Sequence, residues 1–361
     1  MAVTMRDVAE LAKVSVKSVS NVVSGYEHVS PQLRSRVEQA LETLGYQLNV
    51  SARNLRTQRT GMITLAIPEL ALPYFAELAA SVIKVAESQD WTVVIEQTGS
   101  ERSRELDVLS GRRMRVSDGV LFAPSELWTS SGESSKRGFP LVVLGEQMQD
   151  VPADYVTMDN VDASKGATAH LIGLGRRRIV ALGGHTSPIA STAARRHAGY
   201  AEALREAGLD EDPRLVVPVI PWHRQAGAAA MAHLLDSGVP FDAVFAFNDT
   251  LALGALHVLH QRGVRVPGDV AVIGFDDIDD VRYSLPTVSS IDPRKDMLAE
   301  VAVRRLLARI AGEIEGFQRV TTEWRIVGRQ STGDTLLPGD ERTISVQPGS
   351  PVPQQQDDLK P

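Results

Sequence analysis

The sequence has no cysteine among its 361 residues, which excludes disulfides, thiol catalysis and cysteine metal sites. It also lacks a P-loop motif, a G-x-S-x-G motif and an H-E-x-x-H motif. No apolar run reaches the length of a membrane span, and the opening MAVTMRDVAE has no apolar signal core. We therefore expect a cytoplasmic protein that is not an enzyme, carries no cofactor and does not bind a membrane.

Two weak patterns could be mistaken for ligand motifs. GLGRRR at 173–178 spaces two glycines roughly as in dinucleotide-binding loops, but it follows a helix and precedes a strand, so it predicts a helix C-cap. A second pattern is the cluster of carboxylates Asp276, Asp277, Asp279 and Asp280. Such a cluster could hold a divalent cation, but at the end of a strand it more often meets polar ligand groups or solvent, and we expect no metal.

The first sixty residues contain the start and stop signals of a three-helix unit, with helices predicted over 5–13, 16–23 and 31–44. The signals are Thr4 with Asp7 as a capping box, Ser15, Ser30 followed by Pro31, and Gly45. The apolar spacing predicts a core made of Val8, Leu11, Ala12, Val19, Val22, Val23, Leu33, Val37, Leu41 and Leu44. This arrangement is typical of a helix-turn-helix.

The second helix would then present Val16, Lys17, Ser18 and Asn21 outward, as a recognition helix presents its first residues to base edges. Ser18, Ser20 and Ser30 could donate to phosphates. A small helical protein-docking module is the alternative. Charge favours DNA: residues 1–60 have eight basic and five acidic residues, a net charge of +3, and because the whole chain carries −7, the remainder carries −10. Phosphate contact is therefore expected only at the head, with affinity that falls steeply with salt.

The segments VTMRDVAELAKVSVKSVSNVVSG and HVSPQLRSRVEQALETLGYQLNVSARNLRT resemble the N-terminus of the lactose-repressor (LacI/GalR) family, and the resemblance extends to about Gly333. It implies that Val16 and Lys17 mainly select the operator. This pair differs from that of the lactose repressor, whose operator is therefore not assumed. The predicted DNA-binding residues of the head are Thr4, Ser15, Val16, Lys17, Ser18, Ser20, Asn21, His28 and Ser30.

The stretch NVSARNLRT, 49–57, is too polar for a core helix but spaces Ala52, Leu55 and Arg56 helically. From the residues alone it could be a flexible linker. The resemblance implies a hinge helix that folds on DNA, contacts the minor groove through Asn49, Ala52 and Arg56, and wedges Leu55 into the central base step. Two such helices must meet there, so the resemblance implies a homodimer, or a tetramer, on a two-fold symmetric operator.

From Met62 onward, short apolar runs alternate with helical stretches. The predicted strands are MITLAI, WTVVIE, GVLFA, LVVLG, RIVALGG, LVVPVI, AVFAF and VAVIGF, and the predicted helices cover 74–88, 102–113, 163–174, 191–207, 225–235 and 250–262. Continuous apolar strands separated by helices predict parallel sheets covered on both faces. The fold class is therefore an all-α helix-turn-helix head plus an α/β bilobed, periplasmic-binding-protein-like core of two doubly wound parallel-sheet subdomains.

Asn248 and Asp276 each follow a predicted strand, where doubly wound sheets bind ligands, and Arg196 begins a helix after a third strand. The resemblance implies that these three contact an effector, and together they suit vicinal hydroxyls. Trp222 would stack on a sugar and Tyr74 or Phe75 would close the other lobe, with core packing as the alternative for each aromatic. Gly145 and Glu146 stand where many relatives carry aspartate and arginine, so the sugar is not identified, and Arg196 could face a phosphate or carboxylate instead.

The expected domains are a DNA-binding head over 1–48, a hinge over 49–60, an effector-binding and dimerisation core over 61–336 and a disordered tail over 337–361. The implied function is a transcriptional repressor that a small effector, such as a sugar, releases from DNA by changing the angle between the lobes. A co-repressor-dependent regulator with a non-sugar effector is the alternative. A periplasmic solute-binding protein would need an export signal and no basic head.

Overall fold

A computed structural model of the chain describes residues 3–23, 26, 28–46, 59–111, 116–125, 139–145, 151–184 and 192–334, and the backbone of 342–344. The chain divides into two compact units, residues 1–60 and 61–361, which we call the head and the body. The predicted hinge residues Asn49, Ala52, Leu55 and Arg56, and Glu146, lie outside the described residues.

The head contains α1 (Met5–Ala12), α2 (Val16–Val23) and α3 (Pro31–Leu44). Each helix begins at the cap that the sequence predicts, namely Thr4, Ser15 and Ser30. Gly45 ends α3 with a φ of 60°, a conformation that glycine adopts without strain. The local signals therefore define all three helices, and only the end of α1 differs from the prediction, because Lys13 is its left-handed C-cap.

One predicted core residue of the head is wrong. Leu11 is 48% exposed, whereas the buried residues of α1 are Val8, Ala9 and Ala12. Each helical residue turns by about 100°, so Leu11 lies at the edge of the stripe that these three define. The remaining buried or partly buried members of the head core are Val3, Met5, Val14, Val19, Val22, Val23, Val29, Leu33, Val37, Ala40, Leu41, Leu44 and Tyr46.

The body has strands β1 (Met62–Ile67), β2 (Thr92–Gln97), β3 (Gly119–Phe122), β4 (Leu141–Leu144), β5 (Asp154–Met158), β6 (Ile179–Leu182), β7 (Val216–Val217), β8 (Ala243–Ala246), β9 (Ala271–Phe275), β10 (Ser289–Asp292), β11 (Arg319–Thr322), β12 (Arg325–Gly328) and β13 (Arg342–Ile344). Its helices are α4 (Pro73–Glu87), α5 (Arg102–Leu109), α6 (Asn160–Gly173), α7 (Thr192–Glu206), α8 (Arg224–Asp236), α9 (Asp249–Gln261) and α10 (Lys295–Ala311). Short 3-10 helices occupy Pro213–Leu215, Asp279–Arg282 and Gln330–Thr332.

The strands form two sheets, one in each lobe. In the described residues the first sheet has the order β11-β5-β4-β3-β1-β2 and is parallel throughout. The second has the order β13-β12-β10-β9-β8-β6-β7 and is parallel except at β12, which runs antiparallel to β10 and β13. The predicted doubly wound architecture is confirmed.

In the part of the body that the structure describes, three connections pass between the lobes: β5 to α6, β10 to α10, and β11 to β12. Helix α10 follows a strand of the second lobe but packs in the core of the first, beside α4 and β1. Helix α6 follows a strand of the first lobe but packs in the second. A change in the angle between the lobes therefore has to act through these connections.

The structure corrects several element boundaries. Helix α6 begins at Asn160 rather than at 163, because the Asp159 carboxylate caps the N–H groups of Val161 and Asp162. Helix α5 ends at Leu109, and LVVPVI contributes only the two residues of β7. The strands β5, β10, β11 and β12 and the helix α10 were not predicted.

The tail prediction is wrong for three residues. The segment 342–344 forms β13, which pairs antiparallel with β12 and so continues the backbone hydrogen bonding of the second sheet. The other residues of 337–361 lie outside the described part of the chain.

Candidate functional site

The first turn of α2 forms a small polar and apolar surface. Val16 is 45% exposed and Lys17 is exposed, whereas the Ser15 hydroxyl oxygen accepts the Ser18 N–H at 3.0 Å and lies 2.8 Å from the Ser18 hydroxyl. The two serines therefore fix the start of the helix. Val16 and Lys17 remain exposed on its outside.

Four other predicted DNA-binding residues of the head differ in burial and in the groups that they contact. Ser20 and Asn21 are partly buried on α2, and His28 is exposed with its ring edge-on to Tyr26 at 5.5 Å. The Ser30 hydroxyl oxygen accepts the Leu33 N–H at 3.3 Å. All four therefore lie outside the exposed first turn of α2.

Thr4 is bound to the carboxylate of Asp7. Its backbone N–H and its hydroxyl donate to Asp7 Oδ2 at 2.7 and 2.8 Å, and these hydrogen bonds lower the pKa of Asp7. The Asp7 N–H in turn donates to the Thr4 hydroxyl oxygen at 3.4 Å. Thr4 therefore serves first as a helix cap, and a phosphate contact would have to share its hydroxyl.

In the body, Arg196 is the centre of the predicted effector residues. Its Nε donates to Asn160 Oδ1 at 3.0 Å, its Nη1 donates to the Phe247 carbonyl, and its Nη2 lies 3.6 Å from Asp276 Oδ1. Its guanidinium carbon is 3.4 Å from the centroid of the Phe275 ring. Burial lowers the pKa of Arg196, and the Asp276 charge acts in the opposite direction. Arg196 is therefore a fixed, largely satisfied cation.

Asp276 directly follows β9 and has a φ of 108°, a conformation that costs roughly 1–3 kcal/mol for a residue other than glycine. Its N–H donates to the Ile291 carbonyl at 2.9 Å, which holds this backbone in place. Burial raises the pKa of its carboxyl to about 6, against the opposing charges of Arg196 and Lys295. At neutral pH the side chain is a carboxylate that can accept hydrogen bonds.

Asn248 is the N-cap of α9. Its Oδ1 accepts the Leu251 N–H at 2.8 Å and the Thr250 hydroxyl at 3.0 Å, and its Nδ2 donates to the Trp222 carbonyl at 3.1 Å. The side chain therefore fastens the loop of Trp222 to the end of β8. The residue before it, Phe247, supplies the carbonyl that holds Arg196.

The aromatic residues come from both lobes. Tyr74, on α4 of the first lobe, interacts electrostatically with Asp276 and Arg196 of the second, and burial together with the Asp276 charge raises its pKa, so its hydroxyl is a neutral donor. Phe75 meets Tyr74 edge-on at 5.1 Å and packs against the core of the first lobe. The Trp222 ring centroid lies 5.5 Å from the Arg196 guanidinium. The structure thus brings Tyr74, Arg196, Trp222 and Asp276 together, whereas Phe75 serves mainly as packing.

Two further residues, which no sequence pattern singled out, support this cluster. Asn160, the first residue of α6, orients Arg196. Asp249 is fully buried: Oδ1 accepts the Ser290 hydroxyl at 2.7 Å and Oδ2 accepts the Ile278 N–H at 2.9 Å. Burial, followed by the charge of Asp276, raises its pKa well above the usual value. A polar pair directly after an apolar strand, as in Asn248-Asp249, is the signal that could have indicated Asp249.

Three of the four clustered aspartates have different side-chain partners. Asp277 Oδ1 accepts from Arg329 at 2.6 Å, Asp280 pairs with Arg224 at 2.6 Å, and Asp276 faces Arg196. Within the described residues, no three metal-binding side chains come together as a metal site. In the same part of the chain, none of the helices has the length and apolar character of a membrane span.

Two family models match parts of the chain, one in the head and one in the body. The model of the bacterial regulatory proteins of the lacI family matches residues 4–49, and that of the periplasmic binding protein-like domain matches residues 168–332. A curated relative, the HTH-type transcriptional regulator CelR of Thermobifida fusca, is 34% identical over 343 residues, or 91% of this chain and 98% of the relative. The chain belongs to the lacI family.

Solved structures agree with this membership. The transcriptional regulator CelR in complex with cellobiose is 31% identical, with 91% of this chain and 99% of that chain covered and a TM-score of 0.67. The Lac repressor dimer bound to operator and the anti-inducer ONPF is 27% identical, with 92% and 99% covered and a TM-score of 0.76. As a lacI-family member, this protein is a DNA-binding transcriptional regulator, as the sequence predicts.

Proposed function

We propose that this lacI-family regulator is a repressor that binds a two-fold symmetric operator as a dimer and is released by a small neutral carbohydrate. The carbohydrate would bind between Tyr74 of the first lobe and Arg196, Trp222 and Asp276 of the second. The observation that carries this proposal is the position of Arg196, fixed by Asn160 and the Phe247 carbonyl and facing Asp276.

The arrangement favours a neutral ligand over an anion. Arg196 directs Nε and Nη1 at protein oxygens, so it does not offer a free bidentate fork to a phosphate or carboxylate. An anion would also meet the Asp276 carboxylate. A polyol suits the cluster, because Asp276 accepts from a hydroxyl, Tyr74 donates to one, and Trp222 offers an apolar face to a sugar ring.

Isothermal titration calorimetry tests this ligand class. We expect binding of at least one member of a panel of neutral mono- and disaccharides that begins with cellobiose. Its phosphorylated or uronic acid counterpart should bind at least tenfold more weakly. Arg196→Lys should lose binding, because lysine cannot reach Asn160, Phe247 and Asp276 together, whereas Arg265→Lys on the exposed surface should bind normally. Tighter binding of the charged counterpart would reverse the assignment.

For the head, we propose that Val16 and Lys17 read base edges. The remaining predicted residues would position the head by contacting the DNA backbone or flanking bases; they are Thr4, Ser15, Ser18, Ser20, Asn21, His28 and Ser30. Exposure of Val16 and Lys17 on a helix start fixed by two serines supports this assignment. We also keep the proposed domain limits of 1–48 for the head, 49–60 for the hinge and 61–336 for the core, with Asn49, Ala52, Leu55 and Arg56 as the minor-groove contacts of the hinge.

Selection of bound sequences from random duplex DNA tests the operator proposal. Wild type should enrich a two-fold symmetric site, and Leu55→Ala should weaken the preference at its central step while leaving the half-sites unchanged. Enrichment of an asymmetric site, or none, would contradict a dimeric repressor that binds without its effector. Addition of the bound carbohydrate should then lower operator affinity, and an increase would indicate a co-repressor.

Exposed apolar side chains support the dimer. Tyr283 and Leu285 are 73% and 85% exposed, and Tyr283 lines an open cavity of about 580 Å³ with Leu253 and Arg224. If this face meets a second copy, Leu285→Asp should shift sedimentation toward the monomer and weaken operator binding. Leu174→Asp, which alters an exposed leucine at the end of α6, is the matched control. An unchanged sedimentation profile for Leu285→Asp would exclude this face.

A further inference from the structure

Lys295 joins both lobes through one ammonium group. Its Nζ donates to the backbone carbonyls of Asp276 and Asp277, the latter at 3.0 Å, and lies 3.2 Å from Glu77 Oε2. Glu77 is on α4 of the first lobe, and its other oxygen, Oε1, accepts the Asp279 N–H at 2.8 Å. The three N–H donors of the ammonium thus have three acceptors, two from one lobe and one from the other.

The position of Lys295 is unfavourable for its own helix. It is the first residue of α10, and a cation at a helix N-terminus opposes the helix dipole by roughly 0.3–1 kcal/mol. The side chain is also only 11% exposed, so its charge is removed from most solvent contact. Its contacts with Asp276, Asp277 and Glu77 compensate for these costs, which indicates that the lysine stabilises the contact between lobes rather than the helix.

The ion pair between Lys295 and Glu77 connects the two sides of the candidate cleft. Asp276 presents its side chain toward Arg196, while its carbonyl is held by Lys295. Tyr74 is one helical turn from Glu77 on α4, so both lie on neighbouring positions of one helix face. A molecule bound between Tyr74 and Asp276 would therefore contact α4 and the backbone that follows β9, which Glu77 and Lys295 already link.

We propose that Lys295 and Glu77 are positioning residues that couple occupancy of the cleft at Asp276 to the relative position of the two lobes. The inference rests on the proposed carbohydrate cleft. A cavity of about 440 Å³ lined by Glu77, Ser81, Asp279 and Lys295, among others, adjoins the pair. Ligand that moves the Asp276 backbone would weaken or strengthen the Lys295–Glu77 contact and so shift α4.

A distance measurement without carbohydrate tests the link between the lobes. The chain has no cysteine, so spin labels can be attached at Glu87→Cys on α4 and Gln261→Cys on α9 without background. Pulsed electron paramagnetic resonance on labelled protein diluted with unlabelled protein reports the distance within one chain. Lys295→Met should broaden or shift this distance distribution, and Lys295→Arg should largely preserve it.

Lys165→Met is the matched control. Lys165 is also a helical lysine in ion pairs, with Glu202 at 3.0 Å and Glu206 at 2.8 Å, but all three of these residues lie in helices of the second lobe. This variant should leave the interlobe distance as in wild type. An unchanged distribution for Lys295→Met, or an equal change for Lys165→Met, would overturn the proposed link.

Operator affinity with and without saturating carbohydrate, cellobiose first and then the panel, tests the coupling. Wild type should respond by a factor of about 5 to 150, the usual range of allosteric coupling. In Lys295→Met and Glu77→Gln this factor should fall to below 2 while calorimetry still detects carbohydrate binding. A merely structural role would lower thermal stability and keep the factor.

The two proposals fail differently. If wild type binds none of the carbohydrates, the proposed effector fails, and the distance measurement still decides whether Lys295 and Glu77 hold the lobes. If wild type responds and Lys295→Met responds by the same factor, the effector stands and the coupling role of Lys295 is overturned.

Discussion

The indole of Trp324 lies over Gly166 so closely that a Cβ on Gly166 would come within 2.5 Å of the ring. Its Nε1 donates to Asp162 Oδ2 at 3.0 Å, which fixes the ring on α6. Trp324 belongs to the connection from β11 to β12. One of the three connections between the lobes is thus held against α6 of the second lobe, because Trp324 packs on Gly166.

Gly166→Ala should therefore destabilise the body. The methyl group would displace the partly buried ring of Trp324, and overpacking of this kind costs about 1–3 kcal/mol. Gly173→Ala, in the same helix but with no atom within 4 Å of the added Cβ, is the control and should be neutral or slightly stabilising. Chemical denaturation of both variants measures the difference, and equal stabilities would contradict the packing argument.

Asp154 fastens α10 to the first lobe. Its fully buried carboxylate accepts from Arg309 Nε at 2.6 Å, and its other oxygen forms an ion pair with Arg305, whose Nε lies 2.7 Å away. Asp154→Asn leaves two largely buried guanidinium groups without their anion, and we expect a loss of about 3 kcal/mol in the free energy of unfolding. Glu300→Gln, which alters an exposed ion pair with Arg304 on the same helix, should cost less than about 1 kcal/mol.

The raised pKa of Asp276 predicts a pH dependence of stability. Its folded pKa of about 6 exceeds the unfolded value of 3.8, so its favourable contribution is complete below pH 3.8 and is lost as pH rises through 6. Asp276→Asn cannot ionise. The melting temperature of this variant relative to wild type should therefore be higher at pH 8 than at pH 5, and a difference independent of pH would contradict the shift.

Lys17 should contribute to operator recognition through both charge and base contact. Lys17→Ala should weaken binding to the selected operator by about 1–3 kcal/mol and reduce the slope of log affinity against log salt. Lys84→Ala removes the same charge from α4 of the body and should leave both quantities unchanged. Fluorescence anisotropy at several salt concentrations compares them. A loss for Lys84→Ala as large as that for Lys17→Ala would place DNA contact outside the head.

Local signals predicted the head almost completely. The caps at Thr4, Ser15 and Ser30 and the glycine at 45 act within one helical turn, so sequence order is enough to locate them. Leu11 was placed wrongly because burial depends on how α1 packs against its neighbours. Apolar runs likewise located the central strands, whose neighbours on both faces are apolar.

The unpredicted strands are those without a continuous apolar run. β10 reads SSID and β11 reads RVTT, and these polar residues are satisfied by partners far away in the sequence. The Ser290 hydroxyl, for example, donates to Asp249 at 2.7 Å. Such pairing leaves no periodic pattern, so neither the strands nor their role in joining the lobes could be inferred.

The residues of the candidate cleft were likewise predicted only in part. Asn248 and Asp276 were indicated by their places after apolar strands, because such residues meet at one edge of a parallel sheet, and the family resemblance added Arg196. The sequence and the resemblance did not indicate that the side-chain amide of Asn248 is hydrogen-bonded to the backbone of Leu251 and Trp222. Nor did they indicate that Asn160 and the Phe247 carbonyl hold Arg196. Those contacts are what favour a neutral ligand over an anion.

The sequence by itself determined the helix-turn-helix, its basic charge, the alternating α/β pattern of the body and the residue types available at the strand ends, since these depend on short-range spacing and composition. Only the tertiary structure decided which side chains already have hydrogen-bond or ion-pair partners. It also joined Glu77 to Lys295 over 218 positions of chain. Hydrogen bonds and ion pairs depend on distances of a few ångströms in space, and chain order does not specify those distances between separate lobes.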